Sequence, residues 1–124
     1  MNSLILLVED NVKNMKLLRD VLHATGYTTL EASTGAMAIR LATDRSPALV
    51  LMDIRLPDMS GLDVLQRMRM DKRTASIPVL AVTAEAMYGD RERLENAGFD
   101  GYLSKPIDID ELLATVPEHC MHPG

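Results

Sequence analysis

Three short apolar runs punctuate the chain, at Leu4–Val8, at residues 48–52 and at residues 79–82. Each is too short to be a helix of its own, and an unbroken run, unlike an alternating one, suits a strand buried on both faces of a sheet. Between the runs the spacing becomes helical. Val12, Met15, Leu18, Val21 and Leu22 form one stripe, with Gly26 placed to stop it. Residues 27–32 read as a second strand, Gly35–Arg45 as a helix stopped by Ser46 and Pro47, and Gly61–Met70 as a third helix. A helix over 89–97, a strand over 99–103 and a helix over 108–116, cut by Pro117, complete the pattern. Five strand–helix units in alternation imply an α/β protein with one parallel sheet, right-handed crossovers and helices on both faces. The expected domain spans residues 1–117, and residues 118–124 are expected to form a loose tail.

Composition narrows the function more than the fold. With 124 residues, 47% of them hydrophobic, there is room for one core and no second domain. A net charge of -5 argues against a nucleic-acid partner, since neutralising a phosphate backbone needs clustered Lys and Arg. The single cysteine, Cys120, excludes an intrachain disulfide. No signal peptide and no apolar run of membrane-spanning length appear, so the expected location is the cytoplasm, away from membranes.

The chemistry gathers where the strands end. The first run closes on Glu9 and Asp10, the third strand on Asp53, the fourth on Thr83 and the fifth on Lys105. Any one of these could be a helix cap or a turn former. All five share the sheet edge where doubly wound folds bind ligands, and the flavodoxin-like order 2-1-3-4-5 sets the first and third strands side by side. Glu9, Asp10 and Asp53 would then converge. Three adjoining carboxylates repel one another unless a proton or cation lies between them. With no His or Cys among them, Mg²⁺ suits the set better than a softer metal, and no EF-hand spacing favours Ca²⁺. Lys105 offers a positive charge and Thr83 a hydroxyl to an anion, so the expected ligand is a phosphoryl group. No two of the seven glycines are separated by one residue, which excludes a dinucleotide fingerprint and a phosphate loop. An aspartate-nucleophile phosphatase would need an acid two positions after Asp53, where Arg55 stands.

The segments Val8-Glu9-Asp10-Asn11, Leu51-Met52-Asp53-Ile54-Arg55-Leu56-Pro57-Asp58-Met59-Ser60-Gly61, Val82-Thr83-Ala84 and Tyr102-Leu103-Ser104-Lys105-Pro106-Ile107 together resemble the receiver domains of two-component response regulators. The match covers nearly the whole chain and is similar both to single-domain regulators and to receivers that form part of hybrid kinases or multidomain regulators. The resemblance implies that Asp53 accepts a phosphoryl group from a sensor histidine kinase or histidine phosphotransfer protein. Glu9, Asp10, Asp53 and the backbone carbonyl of Arg55 would hold Mg²⁺, and Lys105 would contact a phosphoryl oxygen. It further implies a switch formed by Thr83 and Tyr102, a cis bond between Lys105 and Pro106, a downstream protein target, and no enzymatic turnover beyond the protein's own phosphorylation and dephosphorylation.

Several residues have plainer readings. Arg55 and Glu85 flank the expected site and are expected to tune the phosphoryl lifetime, but both also suit solvated loop positions. A strand-edge tyrosine such as Tyr102 commonly packs its ring and wets its hydroxyl. Met37, Met68 and Met70 read as core filler and helix surface. His119, Cys120 and His122 offer soft-metal donors, yet they fall in the expected tail.

Overall fold

The computed structural model describes residues 3–84 and 90–120. Its strands are β1 (Leu4–Val8), β2 (Thr28–Ala32), β3 (Leu49–Asp53), β4 (Val79–Thr83) and β5 (Gly101–Ser104). The helices are α1 (Val12–Ala24), α2 (Gly35–Arg45), α3 (Gly61–Met70), α4 (Asp90–Ala97) and α5 (Ile109–His119). All strand pairs are parallel, as the alternation implied, and the order is β2-β1-β3-β4-β5, the flavodoxin-like order expected.

Period-two geometry sends neighbouring residues of each strand to opposite faces, which explains the unbroken apolar runs. Leu6, Val8, Val50, Met52 and Ala81 join one buried cluster with Val64, Leu65 and Leu94 of α3 and α4. Ile5, Leu7, Leu49, Leu51 and Val82 join a second with Leu18 and Leu22 of α1 and Leu112 and Val116 of α5. Burying one such aliphatic side chain contributes roughly 1.5–3 kcal/mol. The three central strands are thereby clamped from both sides.

The caps explain where helices begin and end. Asn11 accepts from the Asn14 backbone N–H at the start of α1, and Thr34 accepts from that of Met37 at the start of α2. At the end of α1, Gly26 at φ +96° donates to the His23 carbonyl and Tyr27 to that of Leu22, the paired bonds of a left-handed glycine stop. Gly98, at φ +108°, ends α4 in the same way through Glu95 and Leu94.

Three expectations need correction. Val12 does not belong to the buried stripe of α1: it is 83% exposed, because the first helical position projects beyond the sheet edge. The strand expected from Phe99 starts at Gly101, since Phe99 closes α4 and is buried in the core. The last helix is not cut at Pro117, so the loose stretch does not begin at Glu118. It runs on to His119, and Cys120 is buried, with its backbone N–H bonded to the Val116 carbonyl. A proline so near the helix end removes a single bond, and burial of Val116 and Cys120 offsets that loss. The expected start of α4 at Gly89 lies outside the described residues.

Ser46, which ends α2, is an exposed non-glycine residue in the left-handed region, at φ 45°. Relieving roughly 1–2 kcal/mol of left-handed strain outweighs the 0.4–1 kcal/mol cost of glycine's freer unfolded chain. Ser46→Gly should therefore stabilise the domain by about 0.5–1 kcal/mol, raising its melting temperature by roughly 2–4 °C. An unchanged or lower melting temperature would contradict this account of the α2 terminus.

Candidate functional site

The carboxyl ends of β1, β3, β4 and β5 enclose a cleft of about 310 Å³ lined by Glu9, Asp10, Asn14, Asp53, Thr83 and Lys105, among others. Three of these polar groups are almost wholly buried: Glu9 is 2% exposed, Asp53 4% and Thr83 5%. The sheet carries them in. Glu9 stays in register beyond β1 because its backbone N–H donates to the Ala32 carbonyl at 3.0 Å. Asp53 is the last residue of β3, and Lys105 keeps to the line of β5 through a 2.9 Å bond from its backbone N–H to the Thr83 carbonyl.

One carboxylate oxygen from each of Glu9, Asp10 and Asp53 lies within 4.8 Å of the others. Lys105 Nζ stands 3.2 Å from Asp53 Oδ2 and 3.0 Å from Glu9 Oε2, and it donates to Glu9 Oε1 at 3.2 Å. Glu9 Oε1 is also approached by the Asn11 backbone N–H at 3.2 Å and by Asn14 Nδ2 at 3.5 Å. Glu9 Oε2 is different. It is buried and, although within ion-pair distance of Lys105, accepts no hydrogen bond among the described residues. A buried anionic oxygen without a donor is costly, and a cation beside it would remove that cost. The donor set is all oxygen, in a cleft open to water, and so fits a hard divalent cation.

The charges respond to this crowding. Burial pushes the Glu9 carboxyl above its ordinary range; Lys105 and the Asn11 amide oppose the shift while nearby Asp53 adds to it. Burial works against the Lys105 ammonium, but its hydrogen bond to Glu9 and the charges of Glu9 and Asp53 raise its pKa on balance. Lys105 therefore stays cationic throughout the physiological range.

The five strand-end residues expected from the sequence do share one cleft. Arg55 also lines it, with its backbone N–H donating to Asp53 Oδ1 at 3.0 Å. Tyr102 lies half-buried on β5, packed against the cluster that contains Ala81 and Leu94. The Lys105–Pro106 peptide bond is cis. Glu85 lies outside the described residues, as does His122. His119 Nδ1 donates to the Thr115 carbonyl of its own helix at 3.0 Å, and His119 is not part of the acidic cluster. Met68 is core, while Met37 and Met70 are exposed. Asn14 was not anticipated as a site residue, although its place one turn into α1 after the Glu9–Asp10 pair could have suggested it.

Fold and cleft together define a class: a doubly wound α/β protein whose strand ends hold an acidic, cation-ready site with one opposing lysine. The chain belongs to the response regulator receiver domain family, which matches residues 5–117, and is thus a receiver domain of two-component signalling. It is 44% identical over 119 residues to the polar-differentiation response regulator DivK of Brucella ovis, covering 96% of this chain and 97% of the relative. Its structure superposes with a TM-score of 0.88 on the receiver domain of sensor histidine kinase PA1611 from Pseudomonas aeruginosa. That protein is 34% identical over 96% of this chain and 98% of its own, and was crystallised with a magnesium ion in its active-site cleft. The chemotaxis response regulator CheY4 of Vibrio cholerae, 24% identical with a TM-score of 0.89, shares the fold over 95% of this chain and 98% of its own. No helix among the described residues is long and apolar enough to cross a membrane.

The raised Glu9 pKa gives a pH signature. A carboxyl whose folded pKa exceeds its unfolded value of 4.5 contributes stability that is present below that value and lost as the pH climbs through the folded one. A divalent cation should restore what ionised Glu9 loses. Magnesium at a hundred times its Kd should stabilise the protein by about 2.7 kcal/mol near neutral pH and by clearly less at pH 4.5, where protons compete for the same oxygens. Thermal unfolding in magnesium chloride against EDTA at the two pH values checks this. Equal shifts at both would show that Glu9 ionisation is not linked to the cation.

Proposed function

We propose that Asp53 is the phosphoryl acceptor, that Mg²⁺ is the cofactor, and that the donor is a phosphohistidine on a sensor kinase or phosphotransfer protein. The observation that carries this reading is the pairing of a buried Asp53 carboxylate with Lys105 Nζ at 3.2 Å in a cleft that also holds Glu9 and Asp10. Glu9, Asp10, Asp53 and the Arg55 backbone carbonyl are the candidates to hold the ion. When bound, it neutralises phosphoryl oxygens and the carboxylates beside them.

The residues divide the work. An Asp53 oxygen attacks phosphorus and forms the new P–O bond, while the P–N bond breaks and its electron pair returns to the donor imidazole. Lys105 is already within ion-pair distance of the acceptor carboxylate and needs only to transfer its attention to a phosphoryl oxygen. The cleft gathers the acceptor and the charges that oppose phosphoryl oxygens in one place, so that reaction needs positioning rather than new covalent machinery. Thr83, at the end of the neighbouring strand, offers a hydroxyl donor to the new group. Tyr102 sits on the next strand out, opposite Ala81, where a movement of Thr83 would be felt. The output is then a changed protein-binding surface in the cytoplasm rather than a released product, and the curated DivK relatives, themselves response regulators, agree with that role. Arg55, at the mouth, is placed to influence how long the phosphoryl group survives.

Incubation with acetyl phosphate and magnesium should add one phosphoryl group by mass, and Asp53→Asn should remove the addition. Omitting magnesium should abolish it as well. A phosphoryl group retained on Asp53→Asn, or mapped to Asp58 or Asp63, would overturn the assignment.

The switch has its own test. A ligand shifts a two-state equilibrium only by its differential affinity for the states, so deleting the hydroxyl should uncouple the change from the chemistry. Thr83→Ala should still accept a phosphoryl group but lose the change in the NMR signals of Tyr102 that phosphorylation produces in the parent. Equal changes in both proteins would show that Thr83 does not couple the two.

A further inference from the structure

The loop between β3 and α3 carries Arg55, and its hold on the rest of the molecule comes from an unexpected direction. At its base the loop is closed by an antiparallel bridge between Arg55 and Ser60 and by a 2.8 Å bond from the Gly61 backbone N–H to the Ile54 carbonyl. The base is tight. A Cβ at Gly61 would collide with the Asp53 carbonyl oxygen. Among the described residues, the Asp58 carboxylate at the tip accepts no hydrogen bond from β3 or α3. Its two carboxylate oxygens instead accept from the backbone N–H groups of Gly35 at 2.8 Å and Ala36 at 3.0 Å, the first two residues of α2. Those bonds hold the Asp58 carboxyl below the usual carboxylate range.

Contact here is close on both sides. A Cβ built at Gly35 would lie 2.5 Å from Met59 Cγ and 2.8 Å from Met59 Sδ and Val64 Cγ2, so the first residue of α2 is seated against the loop and α3. α2 already has its own cap, since Thr34 serves the Met37 N–H at 3.1 Å. Asp58 therefore does more than end a helix: it ties the loop tip to a second, independently anchored element.

We infer that Asp58 is a positioning residue for cation binding, which holds the Arg55 main chain against the acidic cluster by pinning the loop tip to the N-terminus of α2. The inference rests on the proposal that the Arg55 carbonyl joins Glu9, Asp10 and Asp53 around Mg²⁺. With both ends of the loop fixed, the Arg55 carbonyl meets the ion without prior ordering, and binding does not bear the entropy of freezing the loop. Without the tip anchor, only the Arg55–Ser60 bridge and the Gly61 bond restrain the segment.

The test is a magnesium titration of the full chain by calorimetry, with melting temperatures and amide hydrogen exchange recorded in EDTA. Asp58→Ala should raise the magnesium Kd by at least about threefold, and Asp58→Asn, which keeps one acceptor oxygen, should fall between it and the parent. Both variants should speed exchange at the Arg55 amide in the metal-free protein. Thr34→Ala supplies the control, because it weakens the same helix end through Met37 without touching the loop. It should lower the melting temperature but leave the magnesium Kd and the Arg55 exchange as in the parent. An unchanged Kd in Asp58→Ala, or an equal loss in Thr34→Ala, would overturn the inference while the magnesium site stands. A parent that binds no magnesium would remove the site reading itself, and this inference with it.

Discussion

The protein is organised around an electrostatic cost: three carboxylates, two of them buried, are held within 4.8 Å of each other at the edge of a sheet. Left alone in such a place they would draw apart or take up protons. Lys105 compensates part of that cost, lying within 3.2 Å of both Glu9 and Asp53. It does not compensate all of it: burial, with a smaller push from Asp53, still raises the Glu9 pKa, and Glu9 Oε2 accepts no hydrogen bond among the described residues. The unbalanced remainder is what gives the cleft an appetite for a cation.

Keeping repelling groups in place needs a stiff frame, and the two-sided core provides one. β1, β3 and β4 are buried on both faces, so the backbone that presents Glu9, Asp53 and Thr83 has no solvent-facing side on which to relax. A parallel sheet also brings every strand's carboxyl end to the same edge, which is why residues far apart in the chain meet there. The hydrophobic pattern and the reactive cluster are thus two aspects of one arrangement: the first supplies the rigidity that the second requires.

That connection decides what could be read from the sequence. The three central strands are compact apolar runs and the polar residue closing each stands out, so Glu9, Asp10, Asp53 and Thr83 were visible, and Lys105 with them once the alternation placed a fifth strand before it. Helix ends written in local chemistry, such as Gly26, were equally plain. Errors arose where tertiary packing outweighed a local rule. Pro117 looked like a helix stop, but α5 continues because Val116 and Cys120 face the core. Val12 looked like part of a buried stripe, but as the first residue of α1 it is exposed. The long-range polar ties were harder still. Arg69 donates to the carbonyls of Ala75, Ile77 and Gly98 and to Asp100, and Asp58 holds α2, through backbone groups that carry no residue signature.

A charge account of the cleft links the proposed chemistry to the proposed switch. Glu9, Asp10 and Asp53 against Lys105 leave two net negative charges, the amount that one divalent ion neutralises. Converting the Asp53 carboxylate to an acyl phosphate adds about one further negative charge, spread over the terminal phosphoryl oxygens. With Lys105 and a bound ion facing the carboxylates, the added charge would favour a further hydrogen-bond donor in the cleft. Thr83 ends the neighbouring strand and carries a hydroxyl that can rotate toward a new acceptor. Neutrality before phosphorylation and a surplus after it would then favour a Thr83 hydroxyl turned toward the phosphoryl group. The near-balance that makes the resting site tolerable is therefore also what makes it sensitive to one added charge.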